Sequence, residues 1–320
     1  MSIKKIKKAI DKFNKFVVVS HINPEGDAIG SHLAMASLLK RLGKKALLLN
    51  ESPVPHTLRF MKGVEGILKE KPKDFDFDAA IILDSPDLKR IGKIAEYIEE
   101  DKPIINIDHH VSNENFARYN WVESQASSVG EMVFKLFKVF KLKIKRDEAI
   151  AMYVAIMTDT GSFKYTNTSS RTHRIIAELI DRGARPYEIF SKIYETSSLE
   201  DTNLLGEALQ SLKVTDKGRI AWLWVTRDML KKTKGSLEGT EGIINFARSL
   251  EGTEIAVLFR ETGTENKIKV SFRSKGKVDV NKLASFFEGG GHKTASGCIM
   301  FGEMHEVESK VLKKASDMLK

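Results

Sequence analysis

At 320 residues the chain is long enough for two domains, each with a core of its own. Hydrophobic residues at 42% and charged residues at 30% exclude a disordered chain, and no stretch approaches the roughly 20 consecutive apolar residues that cross a bilayer. The net charge of +9 suits a polyanionic partner such as a nucleotide or RNA, although a coat of solvated lysines would give the same sum.

In chain order, MSIKKIKKAIDKF places Ile3, Ile6, Ile10 and Phe13 on one helical face. The segment is basic but lacks the apolar core of a signal peptide, so the cytoplasm is the expected location. FVVVS (16–20) predicts a strand and DAIGSHLAMASLLKRLG (27–43) a helix stopped by Gly43. ALLLN (46–50), AAIILD (79–84) and PIINID (103–108) predict strands that are apolar throughout and therefore buried on both faces. SSVGEMVFKLFKVF (127–140) reads as a helix with a serine cap, and RDEAIAMYVAIMTDTG (146–161) as another that ends in a polar turn. The alternation implies an α/β domain over 1–185, a parallel sheet with helices on both faces. A helical linker is expected over 186–205, within a helical region that runs to 212. RIAWLWVT (219–226), TEIAVLFRE (253–261) and KIKVSFRS (267–274) then predict strands, the last two as a hairpin around TGTEN. Helices near 279–287 and 303–319 complete a smaller α+β domain over 206–320. Cys298, the single cysteine, excludes an intrachain disulfide and any thiolate zinc site built within the chain; it reads as a small buried residue.

An open parallel sheet binds ligands beyond the carboxyl ends of its strands, and the unusual residues of this sequence stand there. Strand 16–20 runs into His21, Glu25 and Asp27. Strand 79–84 ends in Asp84 with Asp87 close by, and strand 103–108 ends in Asp108, His109 and His110. Asp159 follows an apolar helical run. Neighbouring strands would gather these groups into one crevice, where so many anions require cations. Mixed carboxylate and imidazole donors suit Mn²⁺, Fe²⁺ or Zn²⁺ better than Mg²⁺. The set is large enough for two ions sharing a carboxylate, as in phosphoester hydrolysis. Each acid also has an ordinary reading: Asp84 in LDSPD as a turn former, Asp27 as a cap of the following helix.

HINPEGDAIGS, the isolated Asp84, DHH and the Asp159 of TDTG resemble, in order, the four motifs of the DHH phosphoesterase superfamily. GGGHKTASG (289–297) resembles the signature of the DHH-associated C-terminal domain. The short stand-alone arrangement is similar to the bifunctional oligoribonuclease and 3′-phosphoadenosine 5′-phosphate phosphatases of that superfamily. The resemblance implies a hydrolase with two divalent ions, Mn²⁺ foremost, with Mg²⁺ or Co²⁺ as alternatives. It assigns His21, Glu25 and Asp84 to one ion and Asp27, Asp84, His109 and Asp159 to the other, with Asp84 bridging. Asp108 would orient an imidazole or the metal's water, and His110 would face the substrate phosphate, so that Asp84, Asp108, His109 and His110 form the catalytic set. Glu25 departs from the pattern, which has Asp there; its longer arm shifts or weakens a ligand, and NPEGD is also an ordinary exposed turn.

The three glycines of GGGHK allow close approach of the backbone to an anion, with His292 and Lys293 as donors, although a flexible turn uses the same residues. With Arg273 on a neighbouring strand, and Arg248 and Arg260 as further candidates, Gly290, Gly291 and His292 are expected to hold a phosphate or nucleotide. The resemblance implies that this substrate-binding domain faces the metal site across a cleft and grips one end of a short single-stranded RNA or nucleotide. Phe259 and Phe272 alternate with the arginines and are core by pattern. His32 reads as packed or exposed on its helix; His56 and His305 lack any acidic or glycine context; Arg171 and His173 read as capping or surface residues. Hydrolysis of short oligoribonucleotides to mononucleotides, with removal of the 3′-phosphate of 3′-phosphoadenosine 5′-phosphate, is the leading expectation. The alternatives are a phosphodiesterase acting on cyclic di-AMP or its linear product, and a non-catalytic nucleotide-binding protein. A homodimer is compatible with each.

Overall fold

A computed structural model describes residues 2–319 except 216 and 241, and within that range the side chains of all but Glu238 and His292. The chain divides into two compact units, Met1–Thr196 and Ser197–Lys320. The first runs α1 (Ile3–Lys12), β1 (Lys15–Ser20), α2 (Gly26–Arg41), β2 (Lys45–Leu49), β3 (Ile67–Leu68), β4 (Ala79–Leu83), β5 (Ile104–Asp108), β6 (Tyr119–Val122), α3 (Val129–Val139), α4 (Arg146–Asp159), α5 (Ser170–Asp181) and α6 (Pro186–Tyr194). Its strands form one parallel sheet in the order β3-β2-β1-β4-β5-β6.

The apolar runs of β1 and β4 are buried on both faces because the sheet has two cores. Phe16, Val18, Ile81 and Leu83 face α1 to α4, while Val17, Val19, Ala80 and Ile82 face Phe77, Ile91 and Ile94. The second face is closed by a 3₁₀ segment, Lys89–Tyr97, that kinks at Gly92. From β1 the chain moves outward through β2 and β3, then returns to lay β4 on the other side of β1. The topological switch point therefore lies between β1 and β4, where open α/β sheets hold their ligands.

Three glycines bring the helices over this point. A Cβ on Gly26 would collide with the Thr158 side chain, one on Gly30 with the Ala151 carbonyl, and one on Gly130 with Ala155. So α2, α3 and α4 meet nearly backbone to backbone. The start of α2, the start of α3 and the end of α4 share one place.

The second unit runs α7 (Leu199–Gln210), β7 (Lys213–Thr215), β8 (Ile220–Val225), α8 (Arg227–Thr233), α9 (Ile244–Ser249), β9 (Ile255–Glu261), β10 (Lys267–Ser274), α10 (Val280–Phe286), β11 (Gly290–His292), β12 (Ala295–Phe301) and α11 (Met304–Asp317). Its sheet, in the order β11-β12-β10-β9-β8-β7, is antiparallel except for the β8–β9 pair. Phe259 and Phe272 are fully buried under α10 and α11, as their pattern requires, and α7 and α9 cover the opposite face. Helix α6 and the first part of α7 occupy the span 186–205, but they belong to different units. No described helix is long and apolar enough to cross a membrane.

Candidate metal centre

His21 follows β1 directly, Asp84 follows β4, and Asp108 closes β5, so three adjacent strand ends deliver them to the switch point. Asp84 has a φ of +54°, a left-handed conformation that costs a non-glycine residue about 1–2 kcal/mol. Its N–H still pairs with the Ile107 carbonyl at 3.1 Å. The carboxylate is buried, and its Oδ1 accepts no hydrogen bond among the described residues. Imidazoles surround it instead: His21 Nε2 lies 3.4 Å from Oδ2, and His109 Nε2 and His110 Nδ1 lie 3.6 and 3.7 Å from Oδ1. His109 Nε2 is also 3.5 Å from Asp159 Oδ2.

Donors bound to one ion at about 2.0–2.2 Å stand roughly 3–3.5 Å from each other, close to the 3.4–3.7 Å that separates these imidazole nitrogens from the carboxylate oxygens. Two groups bring their ligand atoms within 4.8 Å of one another: Asp84 with His109 and His110, and Asp27 with His109 and Asp159. A buried carboxylate oxygen without a donor, faced by imidazole nitrogens beyond hydrogen-bond length, fits a divalent cation.

The electrostatics agree. Burial pushes Asp27 up to about 7, and the charge of Asp84 adds to the push. Asp159 rises well above the carboxylate range, again mainly by burial and despite His109. Burial lowers His109, but Asp159, Asp84 and Asp27 outweigh it and raise the imidazole to about 9. His21 also ends above its ordinary value: burial lowers it, and Asp84 raises it more. Burial favours a neutral Asp84, yet its hydrogen bond to His21 and the charges of three histidines hold it ionised, below the usual range. Protons here do what a cation would do, offsetting a charge that the fold concentrates.

The candidate ligands are held in place from behind. His21 Nδ1 is 2.8 Å from the Ile22 carbonyl and His109 Nδ1 is 3.2 Å from the Ala126 carbonyl. Both bonds hold a proton on Nδ1 and turn Nε2 toward the acids. Asp108 is fully buried; its Oδ1 accepts from His110 Nδ1 at 2.7 Å and its Oδ2 from Asn113 at 2.6 Å. Asn113 also donates to Asn106, which in turn donates to the carbonyls of Ile82 and Ser85. Asp27 does not cap its own helix. It lies in the first turn of α2 and accepts from Val129 N, Gly130 N and Ser31 Oγ, so it anchors the start of α3. The Ser128 side chain caps α3 by accepting from Glu131 N.

In the second unit the glycine segment forms an edge strand, β11. A Cβ on Gly289 or Gly291 would collide with β12, so close strand packing explains these two glycines; Gly290 is open. Arg273 on β10 is paired with Ala295, and Ala295 with His292, which puts these backbone positions in one row across three strands. The His292 side chain lies outside the described residues. Arg273 is half-buried and donates to the Phe272 carbonyl, and Arg248 is half-buried on α9. Arg260 is committed to structure through the Leu237 carbonyl and Thr240.

Two family models match the chain: the DHH family, N-terminal domain, over residues 15–156, and the DHHA1 domain over residues 230–320. The crystal structure of an exopolyphosphatase-related protein from Bacteroides fragilis superposes with a TM-score of 0.92 at 32% identity, covering 98% of this chain and 95% of that one. This chain belongs to the DHH family. It is 28% identical to the bifunctional oligoribonuclease and PAP phosphatase NrnA of Bacillus subtilis over 304 residues, 92% of each chain. It is 27% identical to the NrnA of Thermus thermophilus over 303 residues, 94% of this chain and 89% of that one.

Within this DHH chain the expected ligands sort unequally. Asp27, Asp84, His109 and Asp159 fall in the two groups, and His21 touches Asp84. Glu25 is exposed at the start of α2 and outside both groups, although its charge is felt by His21 and Asp159. Asp87 is a turn former, accepting from Arg90 N. Arg171 is bound to Glu131 and to the Gln125 carbonyl, and His173 packs on Phe163. His32 is wholly buried in α2.

The sequence reading passes over four asparagines that support the DHH site. Asn50 donates to Ser20 and to the His21 carbonyl, and Asn167 to the Asp159 and Ser127 carbonyls. Asn106 and Asn113 hold Asp108. Asn106 carries a usable signal, a lone amide within the apolar run PIINID.

Proposed function

We propose that this chain hydrolyses short oligoribonucleotides to mononucleotides and removes the 3′-phosphate of 3′-phosphoadenosine 5′-phosphate, using two divalent metal ions, Mn²⁺ foremost. The observation that carries the proposal is the convergence of Asp27, Asp84, His109 and Asp159, with His21 and His110, at the switch point of the first sheet. The activity for which the NrnA relatives are named supports the choice of substrate.

When bound, the ions supply a water of lowered pKa and neutralise the charge that builds on the phosphoryl oxygens. Asp84 would be shared between the ions, with His21 and the less well placed Glu25 on one side and Asp27, His109 and Asp159 on the other. Asp108 holds His110 through Nδ1, so the imidazole presents Nε2 to a phosphate oxygen and donates there. The fixed tautomers of His21 and His109 keep their acceptor nitrogens turned inward, so little reorganisation is needed on binding. Gly290, Gly291, His292, Arg273 and Arg248 would bind the far end of the substrate, which suits a small nucleotide with a free end better than a long duplex. A homodimer in the cytoplasm completes the reading.

The test is a substrate panel with Mn²⁺, Mg²⁺ or Co²⁺: di- to pentaribonucleotides, 3′-phosphoadenosine 5′-phosphate, cyclic di-AMP and single-stranded DNA, with products separated by chromatography. Mononucleotides from the short RNAs are expected. Exclusive cleavage of cyclic di-AMP would move the substrate to that class, and binding without turnover on every substrate would overturn the enzyme reading.

A further inference from the structure

The chain leaves the metal centre through three consecutive left-handed residues, Gly161, Ser162 and Phe163, with φ of 56°, 59° and 67°. Two of them carry side chains, and such strain persists only where the surroundings impose it. Here Phe163 is drawn inward against Tyr153 and His173, with ring centroids 6.2 and 5.6 Å away. Thr160 anchors the reversal: its hydroxyl accepts from Phe163 N, and its carbonyl accepts from the N–H groups of Lys164 and Tyr165. The result is that Tyr165 folds back over Gly161, so closely that any Cβ there would collide with its ring.

A second tyrosine meets the same turn from α6. The Tyr194 phenol is raised by burial, lowered by the Ser162 side chain beside it, and raised again by nearby Tyr165 and Glu25. Its ring centroid is 4.9 Å from that of Phe190, and Tyr187 extends the stripe along the same helix face. These rings are not core. Tyr165 is 44% exposed, Tyr194 43% and Phe190 37%; the turn that carries Tyr165 follows Asp159 directly, and Tyr194 lies near Glu25. Exposed Lys164 stands next to Tyr165 in the chain. Rigid exposed aromatics at the rim of a phosphoester site, with a cation beside them, are the means by which proteins hold unstacked bases.

We infer that Tyr165 and Tyr194 form a stacking wall for the nucleobase next to the scissile phosphate, presented by the strained turn Gly161–Phe163 and by α6. The inference rests on the phosphoesterase reading and assigns the base of the substrate to the first unit. Stacking on a π-face is indifferent to base identity, so the wall suits a nuclease of mixed short sequences.

The test compares the dinucleotide pApA with the same molecule carrying an abasic ribose in place of each adenosine in turn, using the full chain with Mn²⁺. Tyr165→Leu and Tyr194→Leu should each raise KM for pApA about ten-fold while kcat stays within about two-fold, as expected for loss of one stacking contact. The phenylalanine variants Tyr165→Phe and Tyr194→Phe should restore KM, and one abasic substrate should lose the difference between wild type and the leucine variants. Thermal melting confirms that each variant folds. Unchanged KM in both leucine variants, or equal loss on intact and abasic substrates, overturns the wall and leaves the phosphoesterase reading standing. No hydrolysis of pApA by the wild-type chain removes both. Sedimentation distinguishes the other use of an aromatic stripe: a dimer that Tyr187→Ser and Tyr194→Leu dissociate, with KM unaltered, would assign the stripe to contact between copies and overturn the inference.

Discussion

His32 gives a quantitative test of the packing beneath the metal centre. It lies in α2 with no exposed surface, and neither ring nitrogen has a hydrogen-bond partner among the described residues. Burial, set against weak help from the Val18 and Val19 backbone and with a further push from His21, lowers it from 6.5 to about 4. The folded protein thus holds the ring neutral, while the unfolded chain protonates it at its ordinary value. Stability contributed by the neutral ring is complete above pH 6.5 and is lost as pH falls from there toward about 4. The full loss is about 3 kcal/mol, and about 2 kcal/mol of it should be gone by about pH 5. The assay is urea unfolding of the metal-free protein and of His32→Phe at about pH 7.5 and about pH 5. Because the nearby acids titrate in both proteins, the readout is the difference between the two: wild type should lose about 2 kcal/mol relative to the variant on acidification. A difference that stays constant within about 0.5 kcal/mol would refute the reasoning, since it would mean that His32 has a solvated or hydrogen-bonded alternative.

Three further outcomes follow from the geometry. Asp108→Ala frees His110 Nδ1 and should lower kcat about 10- to 100-fold while metal content, read by elemental analysis, is retained. Gly30→Val forces apart α2 and α4 and should cost about 1–3 kcal/mol in thermal unfolding, with weaker Mn²⁺ binding because Asp27 and Asp159 separate. Arg273→Ala should raise KM with little change in kcat if the arginine binds the far end of the substrate in both ground and transition states; a fall in kcat alone would place it in the chemistry instead.

Much of the first unit was legible because its strands are buried on both faces. Continuous runs such as FVVVS and AAIIL announce a parallel sheet, and the acids at their ends announce its ligand edge. The sequence did not announce the short edges β3 and β6: two residues of β3 and four of β6 carry too little periodicity. Nor did it separate α6 from α7, since helical spacing is the same on either side of a boundary between units. Asp27 was open to two readings by sequence, and the structure unites them: its carboxylate is in the ligand group and anchors a helix start, though of α3. Asp87 shows the limit of motif reading: it stands three residues from Asp84, yet its carboxylate accepts from Arg90 N in a turn. GGGH was read as a nest for an anion, whereas packing against β12 explains Gly289 and Gly291, and only Gly290 is left open. The supporting asparagines were the largest omission; an amide in a loop has no pattern until its partners are near.

Asp84 is the test of the whole account. Titration of the protein with Mn²⁺, followed by elemental analysis and hydrolysis of a diribonucleotide, should give two ions per wild-type chain and turnover that chelation abolishes. Asp84→Ala should bind fewer ions and retain almost no turnover. An Asp84→Ala protein that still holds two ions and still hydrolyses the dinucleotide would contradict the central claim that this strained, buried carboxylate joins the metal centre together.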